Sequence, residues 1–474
     1  MSSSPDLQSP PGVVELREDV PLKAGSGSSS ARLCAGGPRL ILAAFATLTA
    51  AITLALLTQI YYGDYEVVPH GSVSSSAAPC SQAGTAALQA GGRALDAAAA
   101  AALCLAVLAP HRTSLDASGS LVYWEYRSLR TQLPTVVEWG GAEAPGKEVT
   151  ARPPRLLVAL AALHAKLGAL PWSQVLQPAI DLARAGFLVT DGLALEAESR
   201  GITGYTPHAI RNEPALAEYL ESLQSNTTAE LCAAWSCGDA VRWRDDAAAV
   251  PAGPWRAWAA GAGGARAAEA LRAAFSVDSV QITPSNVLKG VVDSLKTQWQ
   301  TAGAQAPAGV ASGLAVVDAR DTYAALVTGL SMPFGSGAGS VGSESSSPWV
   351  RDEPTTPLDL APAIIVDEHV CGTRYVMGAE SGAALAEGAA SALSGGGAGA
   401  AGAVDAVEGA RVLVLAGGAL ALERGHAPPD LPELATLPTL NSSSALPALN
   451  FVQQRGDALL SHADSRGGGV ASRF

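Results

Sequence analysis

Three scarcities narrow the field before any motif is read. The 474-residue chain has no basic excess: 30 Lys and Arg stand against 43 Asp and Glu, a net charge of −13. No cationic stripe is left over to neutralise phosphates, which excludes an electrostatic nucleic-acid binder. The six cysteines, Cys34, Cys80, Cys104, Cys232, Cys237 and Cys371, form no C-x-x-C pair and no Cys/His grouping. Neither a metal nor another cofactor is therefore expected. Cys232 and Cys237 are close enough to bridge across a loop in an oxidising compartment, and the other four read as buried or free thiols. Aromatic residues make up only 5% of the chain against 50 glycines, so small residues must do most of the packing. Length alone allows one large domain or two to three ordinary ones.

Polar residues are scarce in one other place. Leu40–Leu57 carries no charge, and the apolar run extends to Ile60. At about 1.5 Å per residue, a helix over 40–60 reaches roughly the 30 Å of a bilayer core. Its apolar surface is not confined to one stripe, as a soluble helix's would be. It also lies too far into the chain for a cleaved signal peptide. The reading is a disordered cytosolic tail over 1–39, a transmembrane signal anchor over 40–60 and a stalk over 61–69. Arg32 and Arg39 precede the span, whereas Asp64 and Glu66 follow it. The positive-inside bias then makes this a single-pass type II membrane protein with its C-terminal body extracellular or lumenal. The glycosylation triplets beginning at Asn226 and Asn441 agree with that side.

From residue 70 the chain reads as a folded body. A helix-rich run from Ser81 to Leu108 is broken by Gly91-Gly92, and its alanine tract has no polar face, as a buried helix requires. Two amphipathic helices with a Gly/Pro turn between them fill Ala151–Val189. Residues from about 190 to 300 read as helical, with Trp255 and Trp258 in packing roles. Leu314–Val317 and Tyr323–Val327 flank the polar turn Asp318–Asp321 and read as a core hairpin, and Pro362–Asp367 reads as a buried strand.

The stretch from Gly309 to Phe334-Gly335-Ser336 resembles the nucleophile hairpin of the gamma-glutamyltransferase (glutathione hydrolase) family. Gly91-Gly92-Arg93-Ala94-Leu95-Asp96-Ala97, Pro110-His111, Leu163–Trp172, Pro178–Phe187, Arg424-Gly425-His426 and Asp464-Ser465-Arg466 are similar to its other motifs. The divergent sixth branch of the mammalian family is the closest match. The resemblance implies the four-layer αββα sandwich of N-terminal-nucleophile hydrolases, an α/β fold. It divides the body into a large-subunit-like region, 70–310, and a small-subunit-like region, 311–474.

The inherited reaction it implies is hydrolysis or transfer of the gamma-glutamyl group of glutathione, or of another gamma-glutamyl compound, by a threonine that self-cleavage frees. In this chain that threonine falls on Ala311 and the following histidine on Gly313. Ser312 is a substitute nucleophile only if a bulge turns it to the other face. Further changes accompany the loss. Ser331 stands for a supporting asparagine, Leu358 and Asp359 for a carboxylate-binding serine pair, and Ser381 with Gly382 for the oxyanion-hole glycines. Val136–Gly141 lacks the family's substrate-gripping arginine. Asp116-Ala117-Ser118-Gly119 replaces a glycine run, and the Asp116 carboxylate is expected to repel an anionic substrate. His111 reads as a hydrogen-bonded structural histidine. The expectation is a family member whose catalysis is weak or lost. The alternative is a non-catalytic ectodomain that binds a partner or associates with an active family member.

Overall fold

The computed structural model describes residues 37–62, 70–127, 133–141, 152–245, 247–276, 283–303, 307–336, 347–367, 372–394, 400–414, 419–425, 436–440 and 446–474. The tail 1–36, the stalk 63–69, Cys34, Cys371, His426 and Asn441 lie outside them. The chain divides into two units at Glu66 and Val67. In the first, helix α1 (Gly37–Tyr62) includes Arg39–Thr58, which is long and apolar enough to cross a membrane. Its polar groups are turned back on themselves. Thr49 and Thr53 each donate a hydroxyl to the carbonyl four residues earlier, both at 2.8 Å, which spares them an unsatisfied donor in hydrocarbon.

The second unit begins with β1 (Ser72–Ser75), α2 (Ala78–Gln89), α3 (Ala94–Leu108), β2 (Ser118–Glu125), β3 (Thr135–Trp139), α4 (Arg155–Leu167) and α5 (Trp172–Ala185). It continues through β4 (Phe187–Leu188), α6 (Asp191–Ser199), β5 (Ile210–Arg211), α7 (Pro214–Ser222), α8 (Thr228–Trp235) and α9 (Cys237–Ala240). Then come β6 (Val241–Arg244), β7 (Val250–Ala252), β8 (Trp255–Ala259), α10 (Gly261–Ser276) and α11 (Pro284–Ala302). The central strands follow: β9 (Val310–Val317), β10 (Thr322–Leu330), β11 (Ala361–Asp367) and β12 (Arg374–Ala379). Last are α12 (Gly382–Ser394), α13 (Ala400–Glu408), β13 (Val412–Val414), β14 (Leu420–Glu423), β15 (Thr439–Leu440), β16 (Leu449–Arg455), β17 (Ala458–His462) and β18 (Ser472–Arg473).

Among the described residues, two sheets carry the architecture. One has the order β18-β1-β9-β10-β2-β3-β6, the other β17-β16-β12-β11-β8-β7. Strand alternation sorts their side chains into three cores. Leu314, Val316, Ala324 and Leu326 of the first sheet face α2, α3, α4 and α5. Ala315, Val317, Tyr323 and Ala325 face the other way and meet Ile364, Val376 and Val452 of the second sheet. Ile365, Tyr375 and Met377 on the second sheet's far face pack on α10, α11 and α12. Helix, sheet, sheet, helix is the four-layer αββα sandwich. Two sheets buried on both faces explain the near-continuous apolar runs of β9 and β10.

α3 is apolar all round because it is buried all round. Its one acid, Asp96, accepts the Arg93 N–H at 2.8 Å and the Ala169 N–H at 3.0 Å, pinning the helix start to the turn before α5. Two expectations need correcting. The region from 190 to 300 is not wholly helical, for β6 joins the first sheet and the β7–β8 pair joins the second. In β8, Ala257 faces the helices and Trp258 the inter-sheet core. The alternation is real, but alanines on one side hide it. The thiols are the other case: Cys80 on α2 and Cys104 on α3 are bridged, as are Cys232 and Cys237.

The Cys80–Cys104 bridge closes a loop with a sequence separation of 24. For a loop of that size, replacing both cysteines by alanine is expected to cost about 3 kcal/mol, chiefly by releasing the unfolded chain. Equilibrium denaturation of the double variant measures it, and an unchanged midpoint would contradict the bridge.

Candidate active site

The β9–β10 ladder runs without interruption from Tyr323↔Val317 to Leu330↔Val310, pairing Ala311 with Gly329 and Ser312 with Thr328. With no bulge, Ser312 shares the helix-facing side of Leu314 and Val316. It is buried there, and its hydroxyl has no partner among the described residues. Thr328 beside it is taken, exchanging a 2.7 Å bond with Thr113. Ala311 faces the opposite way, its methyl among Val327, Leu358 and Leu360. Gly313, where the alignment expects histidine, lies against the Gly378 carbonyl of the second sheet. A Cβ at residue 313 would collide with that backbone, so the sheets approach here only because both positions are glycine.

Ala311 lines a cleft of about 340 Å³ together with Gly309, His111, Arg112, Glu380 and Pro447. No serine, threonine or cysteine lines it among the described residues. Its charge is carried by a nearly buried pair: the Arg112 guanidinium donates to Glu380 at 2.6 Å. Glu380 also accepts from the Ser76 hydroxyl at 2.8 Å and the Ala448 N–H at 2.9 Å. Burial pushes the Glu380 carboxyl above its ordinary range, and Arg112 is the main opposing influence. Burial, helped by Arg112, lowers His111 to about 3, so its imidazole is neutral. Its Nδ1 is buried without a partner among the described residues, which differs from the hydrogen-bonded role expected of it.

The other expected site residues do not line this cleft and are engaged elsewhere. Ser331 donates its backbone N–H to Asp352 at 2.8 Å and shares its hydroxyl with Asp352 and Ser336. Asp359 is held by Arg266 at 2.7 Å and accepts the Gly382 N–H at 3.1 Å. That N–H, expected to serve an oxyanion, is thus already occupied. Ser381 caps α12 by accepting the Ala384 N–H at 3.1 Å. Asp359 and Ser381 line a neighbouring cavity with Pro447, away from Ala311.

Asp116 is the clear correction. Its side chain is 1% exposed, is clamped by Arg152, and accepts N–H groups from Arg155 at 3.2 Å and Asp352 at 3.1 Å. A buried, neutralised carboxylate repels nothing; it joins the loops at 116, 152 and 352. Over Gly119, the former glycine run is covered by the Trp139 indole, whose Nε1 donates to the Ala117 carbonyl at 3.2 Å. Glu138 next to it accepts the Gly261 N–H at 2.9 Å and faces Arg244 at 3.5 Å, leaving an acid where an arginine was sought. Of the glycosylation positions, Asn226 is exposed on the surface. Sequence reasoning passed over Arg112 and Glu380. Their signal was an arginine directly after Pro110-His111 and a lone acid at the end of a buried strand.

Comparison with known proteins agrees with this architecture. The gamma-glutamyltranspeptidase family profile matches residues 80–230. Glutathione hydrolase 7 of Bos taurus is 36% identical over 209 residues, covering 41% of this chain and 30% of the relative. Glutathione hydrolase 6 of Bos taurus is 39% identical over 144 residues, covering 30% and 28%. Over these segments the chain is similar to the gamma-glutamyltransferase family. It spans under a third of the length of these curated relatives. Among solved structures, the cephalosporin acylase from Bacillus halodurans superposes with a TM-score of 0.63 at 16% identity, covering 86% of this chain and 96% of that one. At that identity the likeness speaks for the four-layer fold alone.

The Arg112–Glu380 pair yields a test. Replacing Arg112 by methionine strands a buried carboxylate and is expected to cost about 3–5 kcal/mol at pH 8. The loss should shrink as the pH falls, because a protonated Glu380 needs no counter-charge. Denaturation of R112M at pH 5 and pH 8 checks this, and a pH-independent loss would assign the effect to packing.

Proposed function

We propose that this chain is a membrane-anchored member of the glutathione hydrolase and gamma-glutamyltransferase family in which the inherited reaction is weak or lost. The observation that carries the reading is a methyl group, that of Ala311, at the cleft-facing start of β9. The family's chemistry needs a hydroxyl there to attack its own preceding carbonyl, then to carry the gamma-glutamyl group as an ester. Without it there is no self-cleavage and no acyl-enzyme. The family profile ends at residue 230, so the placement of the nucleophile on Ala311 rests on the likeness of β9 and β10 to the family hairpin. In this reading residues 70–310 and 311–474 are the counterparts of the large and small subunits, left joined.

The engaged states of Ser331, Asp359 and the Gly382 N–H support the same conclusion, since the groups that would grip glutathione are bonded within the protein. Ser312, on the far face of an unbulged strand, is no substitute. The α1 helix supplies the anchor, and the charges on either side of it favour a cytosolic N-terminus. Asn226 then lies on the glycosylated side. The second reading is a non-catalytic ectodomain that binds a partner or modulates an active family member, favoured by the same occupied groups.

The expected outcome is one full-length chain on a denaturing gel and no glutamate released from glutathione above a protein-free blank. Ser312→Ala should change neither result. Two fragments together with glutamate release, both abolished by S312A, would overturn the proposal.

A further inference from the structure

Below the start of α12 lies a cavity of about 220 Å³, separate from the Ala311 cleft, with apolar walls that include Leu295, Trp299 and Leu446. Four charged side chains also reach it: Arg266, Asp359, Glu387 and Arg411. Each guanidinium in this neighbourhood has a carboxylate. Arg266 holds Asp359 at 2.7 Å, Arg411 holds Asp464 at 3.1 Å, and Arg466 bonds both Glu423 and Asp464, the latter at 3.0 Å. The nearby His462–Glu408 pair closes on itself at 2.7 Å. Glu387 is the acid left over. It is 5% exposed, and among the described residues its one hydrogen bond comes from the Val412 N–H to Oε2 at 2.9 Å. Oε1 has no hydrogen bond among the described residues, and the residue lines the cavity.

We propose that this cavity binds a small primary ammonium carrying an apolar body, with Glu387 as its counter-charge. Among Asp359, Asp464, Glu423 and Glu387, four carboxylates meet three guanidiniums, so the site lacks one cation. A buried charge without a partner is strongly disfavoured. An ammonium supplies the cation and a donor for Oε1, the Ser381 hydroxyl on the same wall offers a second acceptor, and the apolar walls cover the remainder of the ligand. A carboxylate ligand would add a further negative charge beside Glu387, although Arg266 Nε and Arg411 Nε are buried without partners among the described residues. A metal ion has too few ligands, since no group of three or more His, Cys, Asp or Glu capable of holding one occurs among the described residues. In the empty cavity a proton takes the ammonium's place. Burial pushes Glu387 up to about 7, with Arg411, the Val412 N–H and Arg466 acting against that shift and Glu423 with it. The proposal does not depend on the state of the Ala311 cleft.

The test uses the full chain in lipid nanodiscs, with empty discs subtracted, and 4-fluorophenethylamine followed by fluorine NMR. Saturable binding is expected, tightening roughly tenfold from pH 6 to pH 8 as Glu387 gives up its proton while the amine stays charged. Glu387→Gln should weaken it at least tenfold. It should also unfold at no lower temperature than the parent at pH 8, because it replaces a disfavoured buried charge by a neutral isostere. Trp299→Ala should weaken binding with the charges intact. Undiminished binding to E387Q, tighter binding of 3-(4-fluorophenyl)propanoate, or no saturable binding at pH 8 would each overturn the proposal.

Discussion

The two-residue period of β9 is the constraint on which the rest of the molecule depends. Both faces of the strand are buried, one against helices and one against the second sheet. Sliding it by one residue would exchange Leu314 and Val316 with Ala315 and Val317 and misfit both cores at once. It would also move Gly313 off Gly378, where the sheets tolerate no side chain. The register is therefore held far more firmly than any single contact could hold it. Residues 311 and 312 inherit their faces from it: a methyl towards the cleft, a hydroxyl towards the helices.

Several polar groups of the candidate site are closed by internal bonds. Asp359 takes both Arg266 and the Gly382 N–H. Asp352 takes Ser331 and Ser336, and Trp139 covers Gly119. Each closure is locally favourable, since a buried polar group bonded within the fold avoids a desolvation penalty of about 1–3 kcal/mol. Together they leave the Gly382 N–H and the Ser331 hydroxyl bonded within the protein.

How much of this was legible in the sequence depended on the kind of signal. The β9–β10 hairpin, the break at Gly91-Gly92 and the α4–α5 pair announced themselves through periodicity and turn residues, and the sandwich followed from family likeness. β8 did not, because alanine on its helix-facing side gives a hydropathy pattern indistinguishable from the surrounding Ala-rich helices. The partners of the candidate site residues were invisible. Asp116 meets Arg152 and Asp352, and Glu380 meets Arg112, across sequence separations that no local pattern encodes. A carboxylate read alone looks available for chemistry or repulsion. Its buried partner decides otherwise.

The cleft has nevertheless not been filled with hydrocarbon. His111 Nδ1, the Ser312 hydroxyl and Asn450 Oδ1 are buried without partners among the described residues, and His111 lines the cleft. Asn450 donates to the Gly313 carbonyl at 2.8 Å and to Ser76 at 2.9 Å, and Ser76 donates in turn to Glu380. A polar chain thus runs from the strand carrying Ala311 to the acid paired with Arg112. Replacing such groups with apolar residues of equal volume is often neutral or stabilising. Stability alone therefore does not account for this polar chain.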